Sequence, residues 1–160
     1  LSSLHVGRDK LSARSTGAHR LLRCLKEEIV PFIEANFPTS SAGRGLAGSS
    51  DAGFFTLYTL FTETSLFERY YAGSPTAFDR LFEYESDYAT SHADLNARLL
   101  LTASSEDPES LEFLRCMAAS LQARMYPGFT ILPHLFEDES DFSAYIVSVG
   151  RALMLLYEAG

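Results

Sequence analysis

Apolar residues recur every three or four positions in several stretches of the chain, and this spacing predicts amphipathic helices. The first predicted helix covers residues 17–36. Pro31 inside it should kink or divide the helix, because proline has no amide hydrogen to donate. Later stretches with the same spacing predict further helices at residues 52–63, 76–90, 108–126 and 143–158.

Short runs of small or apolar residues lie between these helices and predict buried strands. Their positions are residues 44–49, 69–73, 97–103 and 129–136. Strands that alternate with helices of this length are typical of parallel βαβ units, whose right-handed crossovers lead us to expect helices on both faces. The sequence therefore predicts an α/β fold, a three-layer sandwich with about four parallel strands. We expect residues 1–16 to form an irregular arm and residues 17–160 to form a single domain.

The composition is that of a globular protein and narrows the range of partners. Of the 160 residues, 46% are hydrophobic and 21% are charged, and the net charge is −8. Nucleic-acid binding needs clustered basic residues, so this charge argues against it. No apolar run is long enough to span a bilayer, and no signal-peptide pattern is visible. We therefore expect a cytoplasmic protein that binds neither nucleic acid nor membrane.

The residues that usually hold metals or cofactors form no suitable cluster. Cys24 and Cys116 lie in predicted helices, far apart in sequence, and we expect buried free thiols. The acidic segment 137–141 lacks the spacing of a calcium-binding loop. Gly43-Arg44-Gly45 lacks the lysine and hydroxyl residue of a phosphate-binding loop. The sequence thus predicts no metal and no cofactor.

Candidate chemistry is concentrated in the segment Gly48-Ser49-Ser50-Asp51-Ala52-Gly53, between a predicted strand and a predicted helix. Its small residues permit a sharp turn in which backbone segments come close together, as the nucleophile turn of a serine hydrolase requires. The backbone N–H of Asp51, at the start of the helix, could serve as one oxyanion-hole donor. We interpret Ser50 as a nucleophile, the alternative being a strand–helix turn without chemistry.

The segments around this turn resemble the putative-esterase family, which includes siderophore esterases and esterase-D-like enzymes. Residues 27–37 and then 44–48 are similar to the helix and strand that lead into the family's R-x-x-A-G-x-S-x-G-G motif. Residues 66–75 are similar to the family's L-F…S-P segment. The resemblance runs from about Asp9 to the C-terminus. It implies a serine hydrolase of the α/β-hydrolase fold that acts on a small carboxylic ester.

The resemblance also implies that part of the family's domain is missing. A complete domain has about four more strands upstream, which supply the second oxyanion-hole donor and much of the substrate pocket. The strand before Ser50 would then be at the sheet edge, where unpaired backbone groups invite pairing with another chain. We expect either a homodimer that covers this edge or a truncated piece of a longer protein.

The other triad positions implied by the resemblance are incomplete. Asp141 stands where the family has its histidine, and a carboxylate with an unperturbed pKa of about 4 is a poor base at neutral pH. Glu106 or Asp107, after the third strand, could supply the triad acid, although Asp107 also suits the N-cap of the next helix. His134 is an alternative base. We expect an impaired esterase. The alternatives are an inactive hydrolase-like protein for binding or assembly, and a fragment that needs its other half.

Overall fold

The computed structural model describes residues 17–40, 42–136 and 141–157, and only the backbone of residues 141–148. The predicted arm at residues 1–16 lies outside the described residues. The chain divides into two compact units, residues 1–42 and residues 43–160. A single domain over residues 17–160 stays a prediction.

The main element of the first unit is helix α1, which runs over residues 17–36. Its middle turn, Leu25–Ile29, is π-helical, and Val30–Asn36 is α-helical again. The Val30 N–H donates to the Leu25 carbonyl, five residues earlier. This wide turn directly precedes Pro31, which has no N–H to donate. The helix is therefore divided near Pro31, as predicted, because its hydrogen bonding changes from π-helical to α-helical there.

The second unit alternates strands and helices in the predicted order, and each boundary lies within two residues of its predicted position. Its elements are β1 (Gly45–Ser49), α2 (Asp51–Thr62), β2 (Arg69–Gly73), α3 (Phe78–Ser91), β3 (Ala97–Ser104), α4 (Pro108–Arg124), β4 (Phe129–Phe136) and α5 (Asp141–Tyr157).

The four strands form one parallel sheet in the order β1-β2-β3-β4. The predicted α/β fold with about four parallel strands is confirmed. Leu99, Leu100 and Leu101 of β3 are all buried, because helices cover this strand on both sides. A strand buried on both faces needs an uninterrupted apolar run, which explains why its sequence does not alternate.

Helices cover both faces of the sheet, as predicted, but the crossovers alone do not achieve this. Each strand pairs with the next one in the same direction, so right-handed crossovers put α2, α3 and α4 on one face. In agreement, α2 packs on β1 and β2, α4 packs on β3 and β4, and α3 contacts both of these helices. The opposite face is covered by α5, which packs on β2 and β3.

An apolar cluster holds α5 against the sheet. Tyr71 of β2 and Leu100 of β3 are buried together with Ala152 and Leu156 of α5. Partly buried side chains of Leu132 and Leu155 extend the cluster. Burial of apolar area from α5 therefore covers β2 and β3 on this face of the sheet.

Polar contacts fix the C-terminal end of α5. The Arg69 Nε of β2 donates to the Leu156 carbonyl at 2.9 Å, and the Arg69 guanidinium lies over the Tyr157 ring, 4.6 Å from its centroid. The Tyr157 hydroxyl donates to the Gly43 carbonyl at 3.0 Å. A cation at the carbonyl end of a helix also interacts favourably with the helix dipole.

Replacing Leu156 with alanine should lower the free energy of unfolding by about 2–5 kcal/mol, because the change leaves a cavity between α5 and the sheet. Leu156 is 5% exposed, whereas Met154 on the same helix is 64% exposed. Met154→Ala should therefore change the free energy by less than about 0.5 kcal/mol. Urea denaturation followed by circular dichroism measures both variants. Equal losses would contradict the packing of α5 described above.

Candidate active site

Ser50 lies on the turn between β1 and α2, at the carboxyl edge of the sheet. Its backbone angles, φ 57° and ψ −122°, fall in a region that residues other than glycine rarely adopt. Its N–H donates to the Gly73 carbonyl at the end of β2, at 2.9 Å. Ser50 is exposed, and its side chain does not cap α2. The turn therefore presents the Ser50 hydroxyl at the surface.

Two glycines make this turn possible. A Cβ on Gly48 would clash with the Ala52 carbonyl in the first turn of α2. A Cβ on Gly53 would lie 2.8 Å from the Gly73 carbonyl oxygen, closer than real Cβ atoms approach. The small residues around Ser50 are therefore needed because α2 begins in direct contact with the backbones of β1 and β2.

The loop that follows β2 carries two more non-glycine residues with positive φ. These are Ser74, with φ 36°, and Ala77, with φ 55°. The Ser74 N–H donates to the Thr102 carbonyl of β3 at 2.9 Å. Residues with strained backbone are often found at functional sites. Here the three residues Ser50, Ser74 and Ala77 lie after the carboxyl ends of two neighbouring strands.

A side-chain hydrogen bond joins this loop to the start of α2. The Thr76 hydroxyl donates to the Asp51 carboxylate at 2.6 Å. The Asp51 backbone N–H belongs to the first turn of α2, where N–H groups point outward and favour a negative charge. Sequence reasoning missed Thr76. Thr76 lies three residues after the end of β2, and β2 is predicted to be parallel to β1, the strand that precedes Ser50. This position in the sequence could have identified Thr76 as a neighbour of the turn.

Asp107 is the N-cap of α4, as one of the two sequence interpretations has it. Its carboxylate accepts hydrogen bonds from the Glu109 and Ser110 N–H groups at 3.1 and 3.3 Å, and from the Ser110 hydroxyl at 2.6 Å. The Ser110 hydroxyl, together with these N–H groups, holds the pKa of Asp107 below its usual value. Glu106 is exposed and takes no part in the cap.

The sheet register separates His134 from Ser50. Ser49 is paired with Gly73, Gly73 with Thr102, and Thr102 with His134. Three strand spacings of about 4.8 Å put the Ser49 and His134 backbones roughly 14 Å apart. The structure therefore does not bring His134 to the Ser50 hydroxyl.

His134 contacts α5 instead. Its Nε2 accepts a hydrogen bond from the Arg151 guanidinium at 3.2 Å, and its ring packs edge-on against Phe136. Burial is the main cause that lowers the pKa of His134, and the nearby Arg151 charge lowers this pKa further. An imidazole in this setting stays neutral to a lower pH than a free one and serves as an acceptor for Arg151.

The resemblance to the family leads us to expect its histidine position at Asp141. Asp141 is the first residue of α5. Its side chain and the preceding acidic segment, residues 137–140, lie outside the described residues. A catalytic role of Asp141 stays a prediction.

The expectation of buried thiols is wrong. Cys24 is partly exposed and Cys116 is exposed. The Cys116 thiol faces outward from α4 and donates to the Glu112 carboxylate at 3.3 Å, and this hydrogen bond raises the pKa of the thiol. Helical periodicity placed Cys116 on α4 but could not tell which side of the helix the sheet covers.

Membrane-spanning helices and metal sites are two further features that bear on function. No helix in the described part of the chain is long and apolar enough to cross a bilayer. Within residues 17–40, 42–136 and 141–157, no three His, Cys, Asp or Glu residues are grouped so that they could hold a metal ion.

Comparison with known sequences matches a family profile to most of the chain and a curated protein to a shorter part of it. The family profile described as "Putative esterase" matches residues 2–119. Among curated proteins, a siderophore enterobactin esterase from Emericella nidulans is 44% identical over 62 residues. That match covers 38% of this chain and 20% of the relative.

Comparison with solved structures shows the fold. The BES protein from Bacillus cereus matches with a TM-score of 0.80 and 22% identity, covering 89% of this chain and 56% of that chain. The siderophore hydrolase EstA from Aspergillus nidulans matches with a TM-score of 0.74 and 22% identity, covering 90% of this chain and 58% of that chain. The chain thus spans little more than half the length of these two relatives.

Gly48→Ala should lower the free energy of unfolding by about 1–3 kcal/mol or more, because the added methyl group overlaps the first turn of α2. Gly150 in α5 is the matched control, since a Cβ there meets no described atom within 4 Å. Gly150→Ala should raise the free energy by up to about 1 kcal/mol through helix propensity. Urea denaturation compares the two. A Gly48→Ala variant as stable as the wild type would refute the close contact.

Proposed function

The chain belongs to the putative esterase family of the α/β-hydrolase superfamily, and on that premise we propose that Ser50 is the nucleophile of a carboxylic ester hydrolase site. The observation that carries the proposal is the strained turn that presents the exposed Ser50 hydroxyl beside the N-terminus of α2. In this role the serine oxygen attacks the ester carbonyl, and the Asp51 N–H stabilises the negative oxygen that forms.

We expect slow or absent ester hydrolysis, because the resemblance to the family puts a carboxylate rather than a histidine at the position of the base. A serine hydroxyl must lose its proton to a neighbouring group, usually a histidine. The resemblance puts Asp141 at the family's histidine position, and His134 lies three strand spacings from Ser49 across the sheet. We expect the second oxyanion-hole donor to come from the upstream strands of the family's domain.

Glu106 is the better candidate for the triad acid. Both carboxylate oxygens of Asp107 already accept hydrogen bonds from the first turn of α4. Glu106 follows the same strand and is exposed, so its carboxylate could turn toward a histidine. An acid in this position orients the base and stabilises its charged form.

The substrate class rests on the relatives. Two of them are named as a siderophore enterobactin esterase and a siderophore hydrolase. Siderophore esters are therefore the first substrates to test, beside simple chromogenic esters.

A fluorophosphonate probe, which reacts with activated serines, tests the nucleophile. We expect slow labelling of the wild type that disappears in Ser50→Ala and persists in Ser49→Ala, the control at the neighbouring serine. Labelling that survives in Ser50→Ala would refute the assignment. Failure to label the wild type after long exposure would instead favour a protein without hydrolase activity.

Substituting a histidine at the family position tests the cause of the impairment. Asp141→His should raise the rate of ester hydrolysis at least about tenfold, since a positioned base contributes about 10²–10⁴-fold. Asp138→His, in the same acidic segment, is the control and should give no gain. If Asp141→His also gives none, the absence of a base at this position is not the cause of the slow hydrolysis.

A second function, self-assembly through β1, is favoured by the free edge of the sheet. Among the described residues no strand pairs with the outer side of β1. Gly45–Ser49 contains no charge and no proline, the features that natural edge strands use to prevent pairing. Exposed Leu153 and Tyr157 of α5 border a cavity of about 110 Å³ beside this strand. We propose that a second copy of the chain pairs through β1 about a twofold axis.

Light scattering after size exclusion should give twice the mass of one chain. Leu153→Lys should shift the mass toward one chain, because a lysine beside β1 must lose its hydration in the interface. Met125→Lys, which changes another exposed apolar residue outside this face, should leave the mass unchanged. A folded wild type with the mass of one chain would exclude the dimer and favour a strand from a longer polypeptide.

A further inference from the structure

A groove between the first turns of α3 and α4 is not used by the proposed esterase site. It has a volume of about 380 Å³, which is within the range of about 300–1,000 Å³ for ligand sites. Three phenylalanines, Phe78, Phe82 and Phe113, form its apolar part, and Glu109 and Glu112 line it as well. Among the described residues that line the groove, none is basic.

The aromatic rings of the groove are held in fixed positions by one another. Phe113 is 3% exposed and stacks against Phe78, with ring centroids 4.6 Å apart and planes inclined by 19°. Phe82 meets Phe113 edge-on, with centroids 5.4 Å apart. Phe78 and Phe82 remain partly exposed, so a ligand can contact them without moving the buried ring. Such a rigid aromatic surface loses little entropy on binding.

The charge around the groove favours a cation, because the full negative charges of Glu109 and Glu112 outweigh the partial positive charge at the N-terminus of α4. Glu109 and Glu112 are both exposed. The basic residue Arg80 is near Phe78 in sequence, but its guanidinium forms an ion pair with Glu83 and lies over the Tyr84 ring. The carboxylates repel anionic ligands, and the negative faces of the aromatic rings attract cations. The overall net charge of −8 attracts basic partners over longer distances.

We propose that this groove, which we call the α3–α4 groove, binds an arginine side chain of a partner polypeptide. The planar guanidinium stacks on Phe78 or Phe82 while its N–H groups donate to Glu109 and Glu112, and the methylene stem covers the apolar floor. The chain already uses the same contact internally, because the Arg69 guanidinium lies over the Tyr157 ring at 4.6 Å. Lysine fits less well, since its compact, strongly hydrated ammonium lacks the planar fork with which a guanidinium stacks on a ring and donates to two carboxylates.

The test uses the 160-residue chain and an acetylated, amidated peptide of sequence Ala-Leu-Arg-Leu-Ala. Titration followed by amide NMR should shift resonances at the starts of α3 and α4, and the affinity should fall as salt is added. A peptide with citrulline, the neutral isostere of arginine, should bind at least about tenfold more weakly, because the charge-assisted hydrogen bonds are lost. The lysine peptide should fall between the two.

Variants of the groove separate the aromatic from the ionic contribution. Phe82→Leu keeps an apolar side chain but removes a ring, and Glu112→Gln removes one charge; each should weaken binding about threefold or more. Asp87→Asn removes the same charge from α3 outside the groove and should leave the affinity nearly unchanged. Equal binding of the citrulline peptide, shifts outside the groove, or no binding of the arginine peptide at millimolar concentration would each overturn the proposal. Esterase activity is not part of this test, so the two proposals fail independently.

Discussion

The direct contact of α2 with the backbones of β1 and β2 is the constraint on which the second unit depends. Gly48 and Gly53 leave room for this contact, and the Ser50 N–H completes it by donating to Gly73. The result is a rigid βαβ unit on which β3 and β4 extend the sheet in register. The positive φ of Ser50 is the strain that this packing imposes, and the same packing keeps the serine side chain outside the core.

The sequential strand order makes the two faces of the sheet unequal. Three crossover helices share one face, whereas α5 is the helix of the described part of the second unit that covers the other face, with a cavity beside β1. The incompletely covered area and the unpaired edge of β1 therefore adjoin each other. One additional element, whether from a second copy or from a longer polypeptide, could cover both.

Much of the fold follows from local patterns in the sequence, and much of the site does not. The apolar run Leu99-Leu100-Leu101 and the small residues around Ser50 have local causes, so the strand and the turn were predictable. The bond from Thr76 to Asp51 and the exposure of Cys116 depend on which elements become neighbours. The separation of His134 from Ser50 likewise follows from strand order, which periodicity alone does not reveal.

The contact of Tyr157 with Gly43 spans 114 residues, whereas each strand pairs only with its neighbours along the chain. A ribosome can therefore release β1 to β4 in the order in which they pair, and each βα unit can dock on the one before it. Helix α5 follows all four strands in the sequence and packs on β2 and β3. Until α5 has been synthesised, Ala152 and Leu156 are not available to cover Tyr71 and Leu100, so this apolar face of the nascent sheet stays exposed to solvent.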